Sequence, residues 1–399
     1  MSIVISPHRH LHVALSRMKI AQCTAQRLDC TTTSCSIDSL PFHMMGSDIL
    51  AENNALQPVE PHMPLTLADI FDAARTIAGI ADNTPMVPSP YMASFTGHDF
   101  LLKLENMQPI GAFKLRGAVN AVANLPDGTS GVTCCSTGNH GRGVAYAAGA
   151  RGMRAVICMS SLVPLAKVDG IRALGAEVKI CGTSQDDALA ESLRLVKSEG
   201  LAEISPFDDA KVIAGQGTIG LEILRARPDI GTLLIPLSGG GLAAGIAVAA
   251  RAIKPEIRLI GISMDRGAAM HASVQAGHPV EVEEVPSLAD SLGGGIGMDN
   301  KLSFQICRDL LDDIVLVTEE EIYDAMQTLY YEDRIVAEGA CVVGIAAIKA
   351  GRISGLKGPA ATVITGRNLD MDMFTRIVSG QDIELGDYSI KGTPYRRKT

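Results

Sequence analysis

One lysine in this chain sits where it could act as a nucleophile. Pro109-Ile110-Gly111-Ala112-Phe113-Lys114-Leu115-Arg116-Gly117-Ala118 is compact and largely apolar, with polar Glu105-Asn106-Met107-Gln108 before it and a helical Ala/Val/Leu pattern after it to Leu125. An amine at the mouth of a helix feels the positive end of the helix dipole. Desolvation and that potential both disfavour the ammonium form, so the pKa falls. A neutral lysine amine can attack a carbonyl, which makes Lys114 a candidate Schiff-base nucleophile. For an isolated lysine the ordinary reading is a solvated surface turn, so the neighbouring segments carry the weight.

Three of these segments follow strand-like runs and open helices, where ligands bind in open α/β sheets. In Ser136-Thr137-Gly138-Asn139-His140-Gly141 the hydroxyls, amide and backbone N–H groups could hold a carboxylate, or Ser136 or Thr137 could simply cap a helix. Ser238-Gly239-Gly240-Gly241-Leu242 could form a backbone nest for a phosphate, or a flexible turn. No lysine follows as in a nucleotide-binding P-loop, so a small phosphate monoester suits it better than ATP. In Thr365-Gly366-Arg367-Asn368 a neutral hydroxyl could meet a ring nitrogen, or cap a turn. Glu338-Gly339-Ala340 starts a late helix, where a glutamate usually compensates the dipole. The glycine-dense Leu288-Ala289-Asp290-Ser291-Leu292-Gly293-Gly294-Gly295 reads as a cleft-lining loop. Asp208, Asp209 and a Gly215-Gln216-Gly217-Thr218 turn are expected at a helix entrance, with no role derived for them.

The elements that must position these groups alternate. Strands are expected at 101–105, 131–135, 154–159, 177–181, 232–237, 257–263, 313–317 and 360–365. Helices are expected at 65–79, with Thr66 a possible N-cap, and at 139–150, 164–174, 184–199, 211–226, 242–253, 318–332 and 337–349, with 84–88 an extended connector. Short buried strands alternating with helices imply a largely parallel sheet, hence an α/β fold.

Composition agrees with an α/β enzyme. The chain has 399 residues, 47% hydrophobic and 20% charged, with 40 glycines and no tryptophan, enough for a sizeable core and many tight turns. A net charge of -9 leaves no basic surplus for nucleic acid. No apolar run reaches membrane-spanning length. The nine cysteines form no C-x-x-C pair, so neither a zinc site nor a disulfide framework is signalled, and a reduced, cytoplasmic protein is expected. Residues 1–62 are rich in His, Ser, Thr and Cys and read as a disordered extension, an upstream start or a targeting segment. Residues 379–399 read as a polar tail.

A Schiff-base lysine, a phosphate nest, a carboxylate loop and a ring-nitrogen partner together describe a pyridoxal phosphate site. In order and wording the motifs resemble the fold-type II (tryptophan synthase β-like) enzymes: threonine and serine dehydratases, serine racemase, cysteine synthase. The resemblance spans about 63–378 and rests on Gly111-Ala112-Phe113-Lys114-Leu115-Arg116-Gly117, Ser136 to Gly141, Ala214-Gly215-Gln216-Gly217-Thr218, Ser238 to Leu242 and Glu338-Gly339-Ala340. Asp290-Ser291-Leu292-Gly293-Gly294-Gly295-Ile296-Gly297 and Gly366-Arg367-Asn368-Leu369-Asp370-Met371-Asp372 look closest to the hydroxyectoine-utilisation dehydratase branch.

The resemblance implies two open α/β domains with mostly parallel sheets and the cofactor between them: a large one from 63–128 plus 208–378 and a small mobile one from 129–207. It implies that Lys114 holds pyridoxal 5'-phosphate covalently and then serves as acid and base at the substrate α-carbon. Phe113 lies against the ring and Asn139 bonds the ring hydroxyl. Ser238, Gly239, Gly240, Gly241 and Leu242 bind the phosphate. Ser136, Thr137, Gly138, Asn139 and His140 receive the substrate carboxylate. Thr365 meets the pyridine nitrogen, and Glu338 stands near the ring. A hydroxyl at that nitrogen leaves the ring a weaker electron sink, which favours loss of a β-hydroxyl, ending in a 2-oxo acid and ammonia.

The departures are Ala112 where relatives often carry Ser or Thr, Ser263 with Ala268-Ala269 where relatives carry acids of a metal site, and Thr137 at the place of the racemase's second acid/base serine. No metal and no regulatory domain are therefore expected, and racemisation stays open. Hydroxyectoine has no primary amine, so a ring-opened hydroxy-diamino acid is the alternative within that branch. A homo-oligomer acting on a small amino acid, without nucleic-acid or membrane partners, completes the expectation; a non-catalytic nucleotide-binding protein is the distant alternative.

Overall fold

The computed structural model describes residues 65–397 except 137, 162 and 164. The N-terminal extension expected over 1–62, and Thr137, therefore lie outside the described residues. Local chemistry starts many elements. Thr66 opens α1 (Leu67–Thr76) with a capping box: its hydroxyl accepts from the Asp69 N–H while the Asp69 carboxylate accepts from the Thr66 N–H. The same device, Ser184 with Asp187, opens the 185–199 helix and, Thr318 with Glu321, the 319–333 helix.

In chain order the strands are β1 (Met86–Pro88), β2 (Phe100–Lys103), β3 (Val132–Cys135), β4 (Ala155–Met159), β5 (Glu177–Ile180) and β6 (Ala202–Glu203). They continue with β7 (Thr232–Pro236), β8 (Arg258–Met264), β9 (Asp313–Val317), β10 (Ala360–Val363), β11 (Ile383–Leu385) and β12 (Tyr388–Ile390). The helices after α1 are α2 (Pro90–Thr96), α3 (Lys114–Ala123), α4 (Asn139–Ala150), α5 (Leu165–Arg172), α6 (Gln185–Glu199) and α7 (Ala210–Ala226). Then come α8 (Gly241–Ile253), α9 (Ala269–Ala276), α10 (Ser303–Leu310), α11 (Glu319–Asp333), α12 (Val343–Lys349) and α13 (Met371–Val378).

Among the described residues the strands make one sheet in the order β1-β2-β10-β7-β8-β9, a second in the order β5-β4-β3-β6, and the hairpin β11-β12. Every pairing in the first two is parallel except β1 with β2. The fold is α/β with mostly parallel sheets, as expected. Its central strands are buried end to end, so they read as apolar runs rather than alternations. Leu102, Leu234 and Ile260 join the core layer of Val343 and Leu329, while Leu101, Leu233 and Leu259 join that of Ile246 and Ile219. Successive side chains thus serve opposite faces of one sheet. A third apolar cluster, around Leu115, Val144 and Ile157, joins α3 and α4 to the four-stranded sheet.

Three local expectations change. Gly215 and Gly217 lie inside α7 rather than in a turn. A Cβ on Gly215 would stand 2.6 Å from the Arg116 carbonyl oxygen and one on Gly217 2.8 Å from that of Gly245, so both are close helix–helix contacts. The helix expected over 337–349 breaks into a 3-10 turn, Gly339–Cys341, and α12, because the chain at Gly339 runs against Leu288, whose carbonyl oxygen is 2.2 Å from where a Cβ would be. The polar tail carries β11 and β12, whose Ile383, Leu385 and Ile390 are buried in the main core. That stretch is too short for its alternation to stand out among its polar neighbours.

Candidate active site

The lysine segment is tied to the end of the central strand β10. The Phe113 N–H donates to the Thr365 carbonyl and the Arg367 N–H to the Gly111 carbonyl, both at 2.9 Å. Gly111 takes a φ of 77°, and the Asn368 amide donates to the Ile110 carbonyl at 2.9 Å. Two segments 250 residues apart are thereby fixed side by side, and Lys114 becomes the first residue of α3.

Behind it, α3 is anchored by a buried ion network. Arg116 is fully buried and donates to both oxygens of Glu105 at 2.8 Å, to the Glu222 carboxylate, and to the Thr218 hydroxyl at 3.0 Å. Lys103 completes it, 2.6 Å from Glu222. Paired charges can stay inside because each has its counter-ion and hydrogen bonds.

Lys114 itself is half-buried, and Nζ donates to the Pro206 carbonyl at 2.7 Å. Burial lowers its pKa to about 8. Nζ also stands 5.4 Å from the centre of the Phe113 ring. The turn that holds the amine also covers the glycine segment: a Cβ on Gly239 would stand 2.3 Å from the Phe207 ring, and one on Gly241 2.8 Å from the Phe207 Cα. Asp208 next in line accepts from the N–H groups of Lys301, Leu302 and Ser303 at 2.8 to 2.9 Å, which starts α10.

α10 in turn shapes the glycine turn. Ser303 Oγ donates to the Gly239 carbonyl at 2.7 Å and Cys307 Sγ to that of Gly240 at 3.6 Å. Gly240 has a φ of 90°, a conformation that suits glycine. With the carbonyls drawn toward α10, the N–H groups of Gly239, Gly240 and Gly241 donate to no acceptor among the described residues. Unpaired amides at a helix start attract an anion.

The loop before α4 is built similarly. Ser136 Oγ accepts from the Gly138 N–H at 3.3 Å and the Gly141 N–H at 3.0 Å, so its hydroxyl caps the helix. The Asn139 and His140 N–H groups have no acceptor among the described residues. His140 Nε2 lies 2.7 Å from the Ile204 carbonyl, and burial pushes its pKa down to about 3. Its ring is therefore neutral, protonated on Nε2 and engaged structurally.

Asn139 donates to both oxygens of Glu338 at 3.1 and 3.0 Å and accepts from the Asn368 amide at 2.7 Å. Glu338 also accepts from the Asn368 N–H at 2.8 Å and the Ser291 hydroxyl at 2.9 Å. Burial raises its pKa. The structure thus brings Asn139, Glu338 and the residue after Arg367 into one network, and the glycine-dense loop enters it through Ser291. Thr365, almost fully buried, has its hydroxyl 3.2 Å from Cys341 Sγ.

Sequence reasoning missed Pro206, Phe207, Ser303 and Cys341 as neighbours of these groups. None lies within a recognisable motif, and only the glycine turn's need for backing atoms could have pointed to them. Among the described residues no helix is long and apolar enough to cross a membrane.

Comparison with known proteins places this geometry. The model of the pyridoxal-phosphate dependent enzyme family matches residues 77–366. A Sinorhizobium fredii protein with a provisional threonine-dehydratase name is 52% identical over 318 residues, 79% of this chain and 96% of that one. The L-threonine ammonia-lyase of Thermotoga maritima is 39% identical over 324 residues, 81% and 80% of the two chains. The structure of maize serine racemase superposes with a TM-score of 0.74 at 31% identity, covering 78% of this chain and 96% of that one. Lys114, the glycine turn and Thr365 all fall inside the matched span, and the chain belongs to the pyridoxal-phosphate dependent enzyme family.

Proposed function

We propose that the protein is a dehydratase acting as an ammonia-lyase: it removes the β-hydroxyl of a hydroxy amino acid and yields a 2-oxo acid and ammonia. The observation that carries this reading is the Lys114 amine, half-buried, with a pKa of about 8 and, among the described residues, a carbonyl as its hydrogen-bond partner, held by the same turn that covers an anion-ready glycine loop.

These residues fit the family's cofactor. The Gly239, Gly240 and Gly241 N–H groups, with Ser238 and Leu242 beside them, suit its phosphate. Lys114 suits its aldehyde, Phe113 its ring face, Asn139 its ring hydroxyl, Glu338 the ring's surroundings and Thr365 its nitrogen. Bound there, pyridoxal phosphate would supply the carbonyl for the amine and the electron-poor ring that weakens bonds at the substrate α-carbon. The chain does the rest. The Asn139 and His140 N–H groups, with Ser136 and Gly138 beside them and Thr137 as a further expected contact, orient the substrate carboxylate. The Lys114 amine, neutral for part of the time near pH 8, removes the α-proton and later returns one. Residues 129–207 form the small domain that closes over substrate and excludes water.

Threonine or serine is the substrate suggested by the relatives' names; a ring-opened hydroxyectoine derivative is the finer reading suggested by the segments around Asp290 and Asp370. Free Cys134, Cys158, Cys181, Cys307 and Cys341 suit a reducing cytoplasm, and a homo-oligomer is the assembly expected of the family. The likeness to serine racemase favours a second reading, amino-acid racemisation.

Ammonia and 2-oxo acid are measured with serine, threonine, 3-hydroxyaspartate and ring-opened hydroxyectoine derivatives in deuterated water. Ammonia release that Lys114→Ala abolishes supports the lyase. Deuterium entering the α-carbon of both enantiomers without ammonia would replace it by the racemase.

A further inference from the structure

Two neighbouring aspartates use their carboxylates differently. Asp209 caps its own helix, α7, by accepting from the Val212 N–H at 2.8 Å. Asp208 serves a distant helix instead. One of its oxygens accepts from the Lys301 N–H at 2.8 Å, and the other from the Leu302 and Ser303 N–H groups, both at 2.9 Å. We propose that Asp208 is a positioning residue for the cofactor phosphate: it clasps the 205–208 turn to the start of α10, and the two together keep the Gly239, Gly240 and Gly241 N–H groups aimed at the anion before it binds. This rests on the reading above in which that glycine turn takes the phosphate.

The glycine turn is gripped from two sides. On one side is the 205–208 turn: a Cβ on Gly241 would stand 2.8 Å from the Phe207 Cα and 2.9 Å from its carbonyl oxygen. On the other side is α10: a Cβ on Gly240 would stand 3.1 Å from Cys307 Sγ and 3.2 Å from the Ser303 Cβ. Ser303 Oγ also lies 2.7 Å from the Gly239 carbonyl oxygen. A carbonyl can only accept, so that bond runs from the serine hydroxyl to the glycine.

Asp208 joins the two sides. α10 begins after a leucine, Leu302, which has no side-chain acceptor to cap it. Asp208 takes three of the N–H groups at that end, and Asn300 Oδ1 takes the next, from Phe304, at 2.9 Å. Ser205 Oγ accepts from the Asp208 N–H at 3.1 Å, which fixes the base of the carboxylate. Bonds from N–H groups to a carboxylate are the stronger kind, and the charge complements the positive end of the helix. Without that carboxylate, three N–H groups are orphaned at the end of α10 that backs Gly239. The turn and the helix can then part, and glycine peptide planes rotate at little cost. An anion must then order the loop as it binds, and affinity falls.

The test compares wild type, Asp208→Ala, Asp208→Asn and Asp209→Ala, each titrated with pyridoxal phosphate. Cofactor fluorescence gives the affinity, and the phosphorus-31 resonance of the bound cofactor against pH reports how the phosphate is held. In wild type the resonance should stay fixed with pH. In D208A affinity should fall about ten- to a hundredfold, the worth of hydrogen bonds to a charged group, and the resonance should titrate near a phosphate's ordinary second pKa of about 6. D208N, which keeps one acceptor oxygen, should fall between. D209A should lose thermal stability with wild-type affinity and resonance. Unchanged affinity and a fixed resonance in D208A overturn the proposal. So does a D209A protein that matches D208A in both, because any lost helix cap would then suffice. If D208A does not fold, Ser303→Ala decides: it frees Gly239 from α10, and unchanged affinity and resonance there overturn the proposal. A wild-type resonance that already titrates removes the placement of the phosphate at the glycine turn as well; a fixed one that D208A leaves fixed removes the role of Asp208 alone.

Discussion

Lys114 Nζ and the Pro206 carbonyl oxygen are 2.7 Å apart, and no carboxylate of the described residues forms an ion pair with that amine. A carbonyl dipole satisfies one N–H without fixing a positive charge. A carboxylate in the same place would raise the pKa and silence the nucleophile. The 205–208 turn therefore does two jobs: it parks the amine and, through Phe207, covers the glycine loop.

The amine should react well below the range of an ordinary lysine. Only the neutral form attacks, so labelling of cofactor-free protein by an amine-directed arylating reagent should rise through about pH 8 at Lys114 and level off above it. Exposed lysines should keep rising toward their ordinary value of about 10.4. Peptide mass spectrometry against pH reads this directly. A Lys114 peptide that labels in step with the exposed lysines would contradict a lowered pKa.

Gly240→Ala should weaken cofactor binding. It puts a side chain at a φ of 90° and within 2.7 Å of Met270 Cε. Strain of this kind costs about 1–3 kcal/mol, or ~5–150-fold in affinity if it falls on the binding-competent loop. Gly97→Ala is the control: its φ is also positive, at 68°, but nothing crowds it. That variant should lose stability without losing affinity. Fluorescence titration with the cofactor, set beside thermal melts, separates the two.

Arg116→Met should destabilise the fold rather than alter the chemistry. It leaves the Glu105 carboxylate inside without its ion-pair partner, while Glu222 keeps Lys103, and breaking a buried pair costs about 3–5 kcal/mol. Adding Glu105→Gln should recover part of the loss, because one stranded charge is removed. Chemical denaturation of the three proteins measures both effects; equal midpoints for wild type and R116M would refute the network's role.

His140 predicts an acid limb in the stability curve. Its folded pKa, about 3, lies below the unfolded value of 6.5. Between those values the unfolded chain binds the extra proton, so stability falls as pH drops from 6.5 toward 3 and is unaffected above. Near pH 5 the loss from this group should be ~2 kcal/mol. His140→Gln lacks that titration, so the gap in unfolding free energy between wild type and variant should narrow from pH 7 to pH 5. A constant gap would show that the imidazole is not held neutral.

Much of this was readable in the residues. Lys114 announced itself by standing alone among apolar neighbours before a helical pattern, and it is the first residue of α3. The strand runs of 131–135, 154–159 and 232–237 lie within a residue or so of β3, β4 and β7, because a strand buried on both faces must be apolar throughout. α10 was not readable: its starting N–H groups are satisfied by Asp208, nearly a hundred residues earlier, so no local cap marks it. The Gly215-Gln216-Gly217 segment misled for a related reason. Those glycines permit close approach of α3 and α8, a demand that exists only once the helices have packed.

The sequence by itself determined the alternation of strand and helix, the candidate nucleophile Lys114, and the glycines whose backbone an anion could approach. Each of these is a property of a residue and its near neighbours: hydrophobic period, turn chemistry, the lack of a Cβ. Tertiary structure alone decided which carbonyl holds the amine, that Ser303 and Cys307 turn the Gly239 and Gly240 carbonyls aside, and that a thiol backs the Thr365 hydroxyl. Those are contacts between segments far apart in the chain. Hydrogen-bond direction and desolvation, which set the chemistry, depend on distances of about 3 Å that no local pattern encodes.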